Sequence, residues 1–297
     1  MTTILLTGRD GQVGWELQRS LAPLGQLVAC GRAELDLASP DSIRTRVREV
    51  KPDIIVNAAA YTAVDKAESE PALAAAINGV APGILAEEAR RLGALLVHYS
   101  TDYVFDGEKS EPYVENDVPN PLNEYGRSKL AGERAIAAAG CAHLIFRTTW
   151  VYAPRGKNFL LTILRLARER DELRIVADQV GAPTSAAAIA RATARVIEEA
   201  GLWPREPGPR WGVYHLTAGG KTSWFGFTQS ILDRTAFMVP ARPRLIPIPS
   251  SEYPTPARRP RCSVLGCEKF RGRFRFDLAP WDQALDEVIT ELRSRPI

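Results

Sequence analysis

The first 21 residues constrain this chain most. Thr2-Thr3-Ile4-Leu5-Leu6-Thr7 is an apolar, β-branched run, Gly8, Gly11 and Gly14 follow it, and Val13 to Leu21 repeats its apolar residues at helical spacing. A strand that passes through a glycine turn into a helix opens a βαβ unit. Gly8 and Gly11 permit a tight turn, and they let backbone N–H groups come close to a pyrophosphate that the positive end of the helix also attracts. Gly8, Gly11, Gln12, Val13 and Gly14 are therefore candidates for binding a dinucleotide.

The alternation continues. Gln26 to Cys30 reads as a second strand, and Asp41 to Val50 as a helix capped near Ser39 with Pro40 at its start. Asp53 to Asn57 is a continuous apolar strand, and the small residues Ala58-Ala59-Ala60 after it leave room for a cofactor. Pro71 to Leu92 reads as one long alanine-rich helix, Leu95 to Ser100 as the fourth strand and His143 to Thr148 as the fifth. Apolar strands that alternate with helices imply a parallel, doubly wound α/β sheet, buried on both faces. Ligands of such sheets bind beyond the carboxyl ends of the strands, where Gly8, Ala59, Thr101 and Thr148 all fall.

About a hundred residues after the glycine turn stands Tyr125-Gly126-Arg127-Ser128-Lys129. Alone, this Tyr-x-x-x-Lys spacing describes any exposed helix turn. Joined to the glycine turn it describes a nicotinamide enzyme, because residues i and i+4 share one helix face and a cation beside a phenol favours the phenolate. Tyrosine ordinarily titrates near ~10, so a depressed value is expected of Tyr125 if it exchanges protons at neutral pH.

Composition narrows the class. A chain of 297 residues with 45% hydrophobic content can bury a sizeable core, and a net charge of +3 gives no reason to expect a nucleic acid partner. Cys30, Cys141, Cys262 and Cys267 form no paired pattern, and Cys262 and Cys267 lack the further ligands zinc needs, so free thiols in a reducing compartment are expected. The chain starts directly on a strand and has no apolar stretch of the ~18 residues a span needs, so no membrane association and a cytoplasmic location are expected. His98, His143 and His215 sit within apolar strand patterns and read as packed.

Past Trp150 the texture changes. Pro154, Pro183, Pro204, Pro207 and Pro209 interrupt helices, and seven prolines fall between Pro240 and Pro260. Long irregular segments of this kind build binding lobes and lids. The expected division is a dinucleotide-binding domain over 1–152, to which roughly 185–235 return, and a smaller substrate-binding lobe over most of 153–297. Trp281 to Arg293 reads as a last amphipathic helix.

The motifs together carry a resemblance. Thr7-Gly8-Arg9-Asp10-Gly11-Gln12-Val13-Gly14, Asn57 to Asp65, Ser100-Thr101-Asp102-Tyr103-Val104-Phe105-Asp106-Gly107, Tyr125 to Lys129, Arg147 to Tyr152, Gly181-Ala182-Pro183-Thr184 and Arg258-Arg259-Pro260 resemble the dTDP-4-dehydrorhamnose reductases of the extended short-chain dehydrogenase/reductase superfamily. That resemblance covers nearly the whole chain, and it implies a Rossmann-type fold and reduction of dTDP-4-dehydro-6-deoxy-L-mannose to dTDP-L-rhamnose. It also implies roles. Tyr125 would give the proton, Lys129 would hold the ribose hydroxyls, and the Thr101 hydroxyl would donate to the carbonyl oxygen. Asp102, Phe105 and Trp150 would contact the sugar, the duller alternative for each being scaffolding. Ala59, Ala60, Tyr61, Asp36 and Leu37 would line the cofactor, and Arg32 at the end of the second strand favours NADPH, with NADH left open.

Some relatives form dimers bridged by magnesium through glutamates. Glu16 and Glu291 match two such positions, whereas Ala187 stands at the third, so the expectation is no metal, and either a monomer or a homodimer. Two alternatives remain: another nucleotide-sugar reductase or epimerase on the same fold, and a regulatory subunit resembling that of methionine adenosyltransferase. The intact Thr101, Tyr125 and Lys129 argue against the second.

Overall fold

The computed structural model describes residues 1–200, 208–239 and 241–294; Pro204, Pro207 and Pro240 lie outside the described residues. Its centre is a six-stranded parallel sheet. The first five strands are β1 (Thr3–Thr7), β2 (Gln26–Cys30), β3 (Ile54–Asn57), β4 (Leu95–Thr101) and β5 (His143–Thr148). Alternate residues of each strand feed two separate cores. Ile4, Leu6, Val56, Val97 and Phe146 face one side, and Leu5, Ile55, Leu96 and Ile145 the other. This double burial is why the strands read as unbroken apolar runs.

Helices cover both faces. On the second side lie α2 (Pro40–Val50), α3 (Pro71–Ala75), α4 (Ala81–Leu92) and α5 (Glu124–Ala139), and on the first side α1 (Gln12–Leu21). The helix expected over Pro71 to Leu92 is continuous in direction but widens into a π turn at Ala76–Val80. Such turns interrupt the regular ladder and re-aim side chains, commonly at functional sites. Here the turn carries Asn78.

After β5 the chain enters the second lobe through α6 (Phe159–Glu169) and β6 (Glu172–Val176), then returns. Helix α7 (Ala186–Ala200) packs against α1, and β7 (Gly212–His215) adds to the sheet beside β5. The strand order is thus β7-β5-β4-β3-β1-β2, which reverses between β1 and β3. The chain then completes the second lobe with α8 (Trp224–Arg234) and β8 (Arg244–Ile248), the latter paired in parallel with β6. Helix α9 (Glu268–Phe274) covers the first sheet, and α10 (Trp281–Ser294) closes the lobe core around Tyr152, Leu160, Phe227 and Leu285. No described helix is long and apolar enough to cross a membrane.

Candidate active site

The reversal between β1 and β3 places the glycine turn at the crevice where a doubly wound sheet binds its ligand. Gly8 adopts φ +72°, and a side chain there would put its Cβ 2.7 Å from the Ala59 nitrogen. Gly14 is tighter still, since a Cβ would fall 2.0 Å from the Gly8 oxygen. Gly11 donates its N–H to Gly8 O at 2.9 Å and caps α1 without a side chain, and no acid stands in the first turn. The N–H groups of the Gln12-Val13 turn therefore face a site suited to an anion. Gln12 also accepts a hydrogen bond from Asn158 of the second lobe at 2.9 Å. Ala59, Ala60 and Tyr61 line the exit of β3, where Asn78 of the π turn clamps both backbone groups of Tyr61, at 2.8 and 3.0 Å. The Tyr61 hydroxyl donates to Glu70 at 2.6 Å.

At the end of β2 Arg32 is 77% exposed, 3.7 Å from Asp36. Asp36 accepts the Ala38 N–H, and Leu37 is buried in one core with Cys30 and Leu35. A second cation, passed over in the sequence, stands nearer the turn. Arg9 donates to Ala29 O at 3.1 Å and to Glu34 at 2.7 Å, while Glu34 accepts the Gly31 N–H. Its signal was its place inside the glycine motif itself.

The catalytic candidates converge from β4 and α5. Asn123 caps α5 by accepting from Gly126 N at 2.8 Å, and Gly126 must be glycine because a Cβ would lie 2.2 Å from Tyr103 O. This close approach sets Tyr125 edge-on to Tyr103, with ring centroids 5.5 Å apart, and close enough to the Thr101 hydroxyl for it to act on the phenol electrostatically. Along α5, Tyr125, Lys129 and Glu133 form one stripe, facing the polar residues His98 and Ser100 that alternate along β4. Lys129, 2% exposed, points its ammonium at Tyr99 O (2.6 Å) and His98 Nε2 (3.1 Å). Glu133 accepts from Ser100 and forms a buried bidentate pair with Arg147, at 2.9 and 2.6 Å.

The electrostatics differ from the sequence expectation. Burial pushes the Tyr125 phenol up to about 12, with the Thr101 hydroxyl opposing and the neighbouring Asp102 adding to the rise. Burial likewise lowers Lys129 to about 8, against the pull of Glu133. Desolvation outweighs the expected phenolate stabilisation because the ammonium is aimed at His98 and the Tyr99 carbonyl. Thr101 is also committed: it accepts from Tyr103 N and donates to Asp102 at 3.0 Å. Asp102 is buried, and burial raises its carboxyl to about 6 despite the opposing hydroxyls of Ser263, Thr101 and Thr149 around it; among the described residues only Thr101 hydrogen-bonds the carboxyl, and Oδ2 has no partner.

The sugar-side candidates separate. Trp150 lies at the crevice with φ +47°, stacked 3.4 Å from Trp224 and over Gly181, where a Cβ would sit 2.6 Å from the indole. Phe105, expected at the sugar, is 1% exposed. It stacks on Tyr113 at 4.2 Å and meets His215 edge-on, so its ring supports the loop from inside. The Arg258-Arg259-Pro260 strap crosses to the first domain. Arg259 grips Asp65 with two bonds of 2.9 Å, and Asn123 donates to Arg258 O at 2.7 Å. Trp224, Asp65 and Arg259 have no place in the roles read from the sequence; only the Asp65 and Arg259 motifs carried a signal.

Glu16, Ala187 and Glu291 line one cleft together, far from the catalytic stripe in sequence, and Arg19 pairs with Glu16 there. Among the described residues no group of three or more His, Cys, Asp or Glu is placed to hold a metal ion.

The whole chain is similar to known proteins. A dTDP-4-dehydrorhamnose reductase of Burkholderia thailandensis is 53% identical over 297 residues, covering 98% of this chain and 99% of its own. The Escherichia coli K12 protein of that name is 47% identical, with 97% of each covered. Among solved structures, the dTDP-4-dehydrorhamnose reductase of Bacillus anthracis in complex with NADP superposes with a TM-score of 0.90 at 33% identity, covering 98% of this chain and all of that one. A UDP-glucose 4-epimerase of Thermus thermophilus, at 19% identity and a TM-score of 0.79, shares the Rossmann-type fold. The family described as the RmlD substrate binding domain matches from residue 1 to residue 294, across both lobes, and this chain belongs to it.

Proposed function

We propose that this protein reduces the 4-keto group of dTDP-4-dehydro-6-deoxy-L-mannose to give dTDP-L-rhamnose, with NADPH as reductant. The observation that carries this is the meeting of Tyr125, Thr101 and Lys129 at the carboxyl ends of the strands, beside a glycine turn with no acid in its helix's first turn. The relatives' names supply the substrate, and the Bacillus anthracis complex the cofactor. Arg9 and Arg32 at the end of β2 suit a 2′-phosphate.

Bound dinucleotide supplies a hydride for C4 of the keto sugar. Tyr125, held protonated at neutral pH by a value near 12, is loaded as the donor for the oxygen that becomes negative. Lys129 has a proton beyond those committed to Tyr99 O and His98, which suits a ribose hydroxyl. Trp150 and Trp224 offer an aromatic wall to the substrate. A cytoplasmic enzyme, monomeric or homodimeric, belongs to the same proposal, and light scattering with and without chelator tests its mass and metal independence.

Activity is tested by following NADPH absorbance with a panel of 4-keto nucleotide sugars. The dTDP-4-dehydrorhamnose should be consumed fastest, and Tyr125→Phe should lower turnover by about 10²-fold or more while the dinucleotide still binds. Preference for another sugar, or near-normal turnover by the variant, would refute the corresponding part.

A further inference from the structure

His98 is buried in the middle of β4, 1% exposed, and both its ring nitrogens meet polar groups. Nε2 lies 3.1 Å from Lys129 Nζ, and Nδ1 lies 3.0 Å from Nδ2 of the Asn57 side-chain amide on β3. Asn57 Oδ1 accepts from the Thr7 hydroxyl at 2.7 Å, and Thr7 Oγ1 accepts the Ala59 N–H at 3.3 Å. A continuous line of hydrogen bonds therefore runs from the catalytic lysine to the last residue before the glycine turn.

The donors along this line must agree in direction. An imidazolium would set two cations 3.1 Å apart in a buried site, and burial and Lys129 both hold His98 well below its usual range, so the ring is neutral. A neutral ring has one donor and one acceptor. If Lys129 is an ammonium, Nε2 must accept and Nδ1 carries the proton. Asn57 then turns its oxygen to the ring and its NH₂ to Thr7, a half-turn of the amide from the orientation above that keeps every heavy-atom distance. With the amide left as it stands, Asn57 donates to Nδ1, Nε2 carries the proton, and Lys129 must accept as a neutral amine. Glu133 one turn along α5 favours the charged form of the lysine, while Tyr125 is the titratable neighbour one turn back.

We propose that His98 is a positioning residue: its imidazole, protonated at Nδ1, accepts one ammonium proton of Lys129 and, through Asn57, ties the charge of that lysine to Thr7 at the dinucleotide turn. His98 and the Tyr99 carbonyl then occupy two of the three ammonium protons and fix the direction of the third. This rests on the reading of Lys129 as the cation beside the dinucleotide.

The chain has three histidines, so ¹⁵N spectra of the histidine-labelled full-length protein resolve them, the His98 signal being the one lost in His98→Gln. The expected spectrum at neutral pH shows His98 protonated at Nδ1 with no titration between about pH 5 and 8. An Nε2-protonated or titrating ring overturns the proposal. In parallel, His98→Leu should lower kcat roughly tenfold or more and weaken NADPH binding, whereas His98→Gln, whose amide oxygen takes the place of Nε2, should stay within a few-fold of the parent. Equal losses in the two variants overturn it, since packing alone would then account for the ring. Should His98→Leu not fold, the parent spectrum and NADPH affinity of His98→Gln decide the matter. If the parent protein consumes no 4-keto sugar, the rhamnose reading falls, while the tautomer and the NADPH titration still judge His98.

Discussion

The two halves of the crevice are held together by different physics. On the dinucleotide side, contacts are backbone against backbone: Gly14 on Gly8, Gly8 on Ala59, and Gly126 on Tyr103. On the side proposed to take the sugar they are side chain against side chain: Arg259 on Asp65, Trp150 on Trp224, and Asn158 on Gln12. A backbone approach needs an absent side chain, which glycine spacing writes locally into the sequence. A side-chain pair needs two partners, and Arg259 and Asp65 are 194 residues apart. The first kind of region can be read from local sequence, whereas the pairing in the second cannot.

That contrast can be broken at its strongest point. Gly14→Val would place atoms where the Gly8 oxygen already lies, so we expect loss of NADPH binding by 10²-fold or more, or loss of the fold, at a cost beyond the ~1–3 kcal/mol of ordinary overpacking. Titrating NADPH by fluorescence is the check. Retained affinity would mean that the turn yields, and that the backbone side is no stiffer than the other.

A middle-sized effect sharpens it. Arg259→Leu removes both bonds to Asp65, a partly exposed pair held by charge-assisted hydrogen bonds, and should cost about 1–2 kcal/mol of stability. KM for the sugar should rise roughly tenfold, with NADPH affinity little changed. A parallel loss of NADPH affinity would show that the strap also sets the dinucleotide side.

The smallest effect concerns Asp102, which belongs to both halves. Its folded carboxyl titrates near 6 because of burial, above the ~3.9 of an unfolded chain. Between those values the folded protein keeps a proton that the unfolded chain releases, so stability falls as pH rises through the window and the loss persists above it. Asp102→Asn should therefore raise Tm at pH 7, and the gain should vanish toward pH 4. A gain independent of pH would assign the effect to something other than ionisation.

Much of the fold was legible because strands buried on both faces leave unbroken apolar runs: Gln26–Cys30 and His143–Thr148 carry the bounds read from the sequence. The π turn inside the third helical stretch was not, since Asn78 acts through Tyr61 and Ser128, which are distant in the chain. At the site, Tyr125 and Lys129 stand out by their spacing, but the sign of the Tyr125 shift does not, because burial is a property of the assembled crevice. His98 reads as packed, and it is packed. What the sequence hides is that its ring also faces Lys129. A signal existed in the polar alternation of His98 and Ser100 within an apolar strand, matched by Lys129 and Glu133 at helical spacing.

The late return of β7 to the sheet has a consequence for how the chain is made. When synthesis reaches Thr148 the outer edge of β5 has no partner, and the face of α1 that receives α7 is bare. Roughly sixty residues separate the end of β5 from the start of β7, which at ~5–20 residues per second leaves that edge open for several seconds on the ribosome. During that interval the nascent first domain is a five-stranded sheet with a sticky rim, the geometry that invites pairing with another chain. The segment that builds the second lobe is thus also the delay before the sheet can close.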